Sequence, residues 1–130
     1  MTFAALAKHL KLTSTVVAFD FRGHGKHFRD NETDLSEETL VRDSVEVIRY
    51  VATKYPDRSI IMVGHSMGGS IATKTTAKIL KDYSTENWTR QIQGLFVIDV
   101  VEGSAMDALP FMENIVLSRP PEFKSLASVV

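Results

Sequence analysis

An α/β fold built on parallel strands is what the sequence predicts, and three observations carry it. Three short runs rich in Val, Ile and Phe, namely Thr15–Phe21 (TVVAFDF), Ser59–Gly64 (SIIMVG) and Leu95–Val101 (LFVIDVV), alternate with two longer segments of helical periodicity. Each run is almost continuously apolar, the pattern of strands buried on both faces under helices. The order strand, helix, strand, helix, strand then describes two right-handed crossovers and three parallel strands.

Taken in order, Thr2–Leu10 reads as a helix feeding directly into the first strand. In Ser36–Tyr55, Val41, Val45, Ile48, Ala52 and Tyr55 recur at helical spacing; Ser36 is the candidate N-cap, with Thr39 in place of Glu at the capping-box position, and Pro56 ends the pattern. Met67–Lys81 carries Ile71, Ala72, Thr75, Ile79 and Leu80 on a second helical stripe, and the polar stretch Asp82–Gln93, with the only tryptophan, Trp88, reads as a surface loop. Ser104–Leu117 has helical spacing at Met106, Leu109, Met112 and Val116. Pro110 requires either a kink there or a helix that begins near Leu109 with the proline in its first turn. Arg119-Pro120-Pro121 is a turn, and Glu122–Val130 opens another apolar segment. A three-stranded sheet leaves edges and outer faces uncovered. Residues 1–130 are therefore expected to form one partial domain of a larger fold.

With 130 residues, 44% hydrophobic and 24% charged, the composition is that of one globular unit and excludes two independent domains, disorder and a collagen-like repeat. Fifteen Lys and Arg against sixteen Asp and Glu leave a net charge of −1, so no basic field points to nucleic acid or to an anionic membrane. No apolar run approaches a membrane span, and Lys8 and Lys11 follow the first apolar residues, the wrong order for a secretory signal. A cytoplasmic setting, with the nucleus as a second compartment, is the expectation. The absence of cysteine excludes disulfides, Cys-ligated metals and thiol nucleophiles.

The chemistry concentrates at Gly64-His65-Ser66-Met67-Gly68-Gly69, which satisfies G-x-S-x-G between a predicted strand and a predicted helix. That spacing puts Ser66 on a strained turn with its Oγ exposed, while Gly64 and Gly68 remove side chains that would collide as strand and helix close together. The N–H of Met67, at the positive end of the helix, is placed to donate to a tetrahedral oxyanion. A phosphate-cradling loop is the rival reading, and it fails: no Lys-Ser/Thr pair follows, and Ser66 occupies the second Gly position of G-x-G-x-x-G.

Two further segments end the outer strands. In Asp20-Phe21-Arg22-Gly23-His24-Gly25 the glycines permit a tight turn, and Asp20 and Arg22 are placed to hydrogen-bond or pair and so fix it. His24 and His27 have no carboxylate or third histidine at ligand spacing, which favours loop histidines over a metal site. Asp99 closes the third strand, at the rim where ligand chemistry gathers in open parallel sheets; a strand-end acid making a turn bond fits the pattern equally.

Together these segments resemble the α/β-hydrolase superfamily and, more closely, the protein phosphatase methylesterases. The matching stretches are Asp20–Gly25 (DFRGHG), Asp34–Thr39 (DLSEET), Gly64–Gly69 (GHSMGG) and, most specific, Ile98–Leu109 (IDVVEGSAMDAL), with Arg119-Pro120 and Phe123–Leu126 (FKSL) beyond. The resemblance implies a partial α/β-hydrolase fold and a serine carboxylesterase that removes the methyl ester from the C-terminal leucine of the type 2A protein phosphatase catalytic subunit. It implies Ser66 as nucleophile, Asp99 as triad acid, and no cofactor or metal. The family's Gly-rich oxyanion loop and its catalytic histidine have no counterpart in these residues, since His9, His24, His27 and His65 all stand at other positions. Without a base Ser66 stays a weak nucleophile, so little or no turnover is expected of residues 1–130 alone. A generic esterase or lipase and a non-catalytic phosphatase-binding fragment are the competing readings. Relative hydrolysis of a p-nitrophenyl ester and of the methylated peptide separates the first. Phosphatase binding that survives Ser66→Ala separates the second.

Overall fold

The computed structural model describes residues 3–25, 33–98, 102–118 and 120, and of residues 102–105 the backbone alone. Its elements are α1 (Ala4–Leu10), α2 (Glu37–Lys54), β1 (Ile60–His65), α3 (Met67–Asp82), β2 (Ile92–Ile98) and α4 (Glu102–Leu117), with a 3-10 turn at Asn87–Gln91. β1 and β2 pair in parallel, from Ile60 opposite Ile92 to His65 opposite Ile98, and α3 is the crossover between them. The result is one βαβ unit with α2 packed on α3.

α2 forms where the periodicity places it. Its start is capped differently from the predicted box. Ser36 makes no side-chain capping bond; instead Asp34 Oδ1 accepts the Ser36 N–H at 3.1 Å and Oδ2 accepts the Thr39 hydroxyl at 2.7 Å. These bonds to the ionised form hold the Asp34 carboxyl down at about 2. The buried stripe of α2 (Val45, Ile48) meets Ala72 and Ile79 of α3 and Met62 of β1 in the main core. Leu40, Val41 and Ile71 form a second cluster, on which Phe21 packs.

Several elements differ from what the sequence pattern predicts. First, among the described residues the sheet has two strands, not three: Thr15–Phe21 has no regular secondary structure and belongs to no ladder, and its residues from Thr15 to Asp20 are exposed. β propensity expresses fit to a pleated, paired surface, so a run without a paired edge forms no strand. Second, the sheet is not buried on both faces. Met62 and Gly64 point into the core, whereas Ile61 is 58% and Phe96 61% exposed on the other side. Third, Asp82–Gln93 is not a simple surface loop. It contains the 3-10 turn, its last two residues already belong to β2, and Trp88 packs half-buried against the main core with Tyr83.

The third strand begins three residues earlier than its apolar run suggests, at Ile92, because Ile92 pairs with Ile60. α4 runs through Pro110, so the proline lies inside the helix and not in its first turn.

Candidate active site

The turn between β1 and α3 is built from backbone fit. A Cβ placed on Gly64 would fall 2.6 Å from the Gly68 carbonyl carbon and from the Gly69 Cα, and nearer still to the Gly68 oxygen. Only glycine at 64 lets the first turn of α3 sit this close over the end of β1. Gly68 contributes differently from the prediction: a Cβ there would meet only the Phe21 ring, at 4.0 Å, so it is the Gly68 backbone, lying where a residue-64 side chain would go, that the close approach involves.

Ser66 is the one non-glycine with positive φ among the described residues, at φ 53° and ψ −125°. Such a conformation costs about 1–3 kcal/mol and persists only where its surroundings enforce it. Here they do: the Ser66 N–H donates to the Ile98 carbonyl oxygen at 2.9 Å, extending the ladder by one bond, and its own carbonyl accepts the Gly69 N–H at 2.8 Å and the Ser70 N–H at 3.3 Å. The side chain is left exposed. Met67 is the first residue of α3. Its N–H is among the leading amides that have no intrahelical acceptor, at the positive end of the helix dipole.

Asp99, the predicted acid, lies outside the described residues, as does His27. The bond from Ser66 to Ile98 does bring the chain position just before Asp99 to the serine turn. His24 donates from Nδ1 to the Arg22 carbonyl oxygen at 3.0 Å, a bond internal to its own turn. His9 lies exposed on α1, and His65 closes β1.

The Phe21–Gly25 turn is held by side chains. Arg22 is 5% exposed and reaches α2, where Nε donates to Asp43 Oδ2 at 2.6 Å and Nη2 to Oδ1 at 2.8 Å. Hydrogen bonding to Asp43 raises the guanidinium's already high pKa further. Arg22 therefore does fix the loop, through a partner that the motif did not reveal. Asp43 was nonetheless visible as an acid three residues after Leu40 and two before Val45, on the apolar stripe of α2. Gly25, at φ 61°, lies where a Cβ would strike the Asp20 carboxylate, so the turn is tight at both glycines, Gly23 having φ 69°. Phe21, anchored beside Arg22, faces Gly68 and so links this turn to the serine turn.

A parallel strand, a strained and exposed serine and a helix that starts on it define the class: a serine-hydrolase unit of the α/β type. A family model described as serine aminopeptidase, S33, matches residues 2–93, and the chain belongs to that family. It is 42% identical to the protein phosphatase methylesterase 1 of Mus musculus over 88% of this chain and 28% of the relative. It is 36% identical to that of Schizosaccharomyces pombe over the whole chain and 37% of the relative. To the probable protein phosphatase methylesterase 1 of Caenorhabditis elegans it is 38% identical, over the whole chain and 34% of the relative. The chain thus spans about a third of the length of these curated relatives. No solved structure matches it significantly. Among the described residues no helix is long and apolar enough to cross a membrane.

Proposed function

We propose that these residues are the nucleophile-bearing part of a protein phosphatase methylesterase, which hydrolyses the methyl ester on the C-terminal leucine of a type 2A phosphatase catalytic subunit. The observation that carries the reading is the positive φ of Ser66 on a strand-to-helix turn that only a glycine at 64 permits. In the mechanism Ser66 Oγ attacks the ester carbonyl, its proton passing to a general base. The oxyanion of the tetrahedral intermediate is held by the Met67 N–H, methanol leaves, and water then hydrolyses the acyl-enzyme to free the carboxylate and Ser66. Asp99 orients and stabilises the base, a histidine supplied from outside these 130 residues. No cofactor enters any step.

The test is methanol release from a methyl-esterified phosphatase C-terminal peptide, using this chain joined to the remaining segments of the mouse relative. The joined protein is expected to release methanol, and Ser66→Ala to lower the rate by at least about a thousandfold. Preference for a short p-nitrophenyl ester with no turnover of the peptide would overturn the substrate assignment.

A further inference from the structure

At the end of the sheet opposite Ser66, a hollow of about 630 Å³ opens where α2 hands over to β1 and the 3-10 turn to β2. Six residues of β1 separate it from the serine, about 20 Å of strand. Ala52, Pro56 and Trp88 give it an apolar wall, and Arg58, Arg90 and Gln91 supply its polar groups; Asp57 is the lone acid of the lining.

The wall is held in place before any ligand arrives. The Arg49 guanidinium lies 4.9 Å from the Tyr83 ring centre and 5.6 Å from that of Trp88, while the Trp88 indole N–H donates to Glu86. Gln91 Nε2 donates to the Ala52 carbonyl oxygen at 3.3 Å, tying the floor to α2. The two arginine head groups, by contrast, are unspent. Among the described residues neither the Arg58 nor the Arg90 guanidinium has an acidic partner, although the chain as a whole is slightly acidic. Gln91 Oε1 is buried without a donor, a rare state for an inaccessible acceptor.

We propose that this hollow docks an acidic peptide segment. Carboxylates fit Arg58 and Arg90, and the stems of the acidic side chains fit the Trp88 and Pro56 surfaces. The site is independent of the ester chemistry at Ser66.

Trp88 is the only tryptophan, so its fluorescence reads occupancy directly. The 130-residue chain is titrated with a short acetylated and amidated Glu-Gly peptide, with the Lys-Gly peptide of equal length, and with inorganic phosphate. The expected result is a saturable change with the acidic peptide alone, at a Kd below about 1 mM, weakened at least about tenfold in R58A/R90A of unchanged circular dichroism. Should that variant lose its fold, the comparison of the three ligands on the unaltered chain decides. No saturable change with the acidic peptide, equal binding of the basic one, or phosphate binding as tightly as the peptide each overturns the proposal.

Discussion

Two turns lie side by side over α2 and α3 and are held by opposite means. Phe21–Gly25 is secured by a buried ion pair: Arg22 reaches back to Asp43, and the turn follows its anchor. His65–Gly69 is secured by backbone fit: Gly64 admits the start of α3, and the ladder bond to Ile98 holds Ser66 in a conformation it would not adopt alone. A side-chain anchor tolerates local adjustment, since the long Arg22 side chain can re-seat. Backbone interlock tolerates none. Phe21 against Gly68 transmits the first constraint to the second.

Breaking the interlock should have the largest effect. Gly64→Ala forces a methyl into the Gly68–Gly69 backbone, and a loss of more than about 4 kcal/mol is expected, close to the whole stability of a small domain. Circular dichroism and urea unfolding check it; a folded Gly64→Ala chain within about 1 kcal/mol of the parent would contradict the close approach.

Next comes the ionic anchor. Asp43→Ala removes the two charge-assisted bonds that hold the buried guanidinium and should cost about 3–5 kcal/mol, whereas replacing both partners, Arg22→Met with Asp43→Leu, should recover most of that loss. Chemical denaturation of the two variants separates an anchor from a surface pair, for which the single change would cost under about 1 kcal/mol.

Releasing the strain at the serine works in the other direction. Ser66→Gly removes the positive-φ penalty at the cost of some chain entropy, so a gain of about 1 kcal/mol is expected by the same measurement. A loss would mean that the conformation is unstrained.

The smallest effect is at the N-terminus of α2. The Asp34 carboxyl is held at about 2 in the folded chain, below its ordinary 3.8, so the unfolded state binds its proton first as pH falls. The stabilisation is full above about pH 4 and disappears as pH drops through about 2. The stability gap between the parent and Asp34→Asn should therefore narrow over that interval, as read by urea midpoints at a series of pH values.

Much of this was legible in the sequence where the physics is local. The helical stripe of α2, the start of α3 at Met67 and the strained position of Ser66 all follow from spacing and from glycines at fixed offsets. Illegible were features that depend on a distant partner. Thr15–Phe21 has strand composition, yet a ladder needs a neighbouring edge, and composition does not reveal one. Arg22 was visible as a turn residue, but its partner lies 21 positions away, on the face of a helix that periodicity assigns to apolar side chains. Trp88 sat in a polar stretch that looked like loop; its burial comes from Tyr83, five residues earlier in that stretch, and from the Arg49 guanidinium of α2.

The central claim is that this strained turn presents Ser66 as a nucleophile. It is tested most directly by treating the chain, joined to the remaining segments of the mouse relative, with a fluorophosphonate and mapping the modified residue by mass spectrometry. The account predicts one adduct, on Ser66, absent from Ser66→Ala and absent from the 130-residue chain alone, in which the family's catalytic histidine has no counterpart. An adduct on another residue of the joined protein, or none at all, would contradict it.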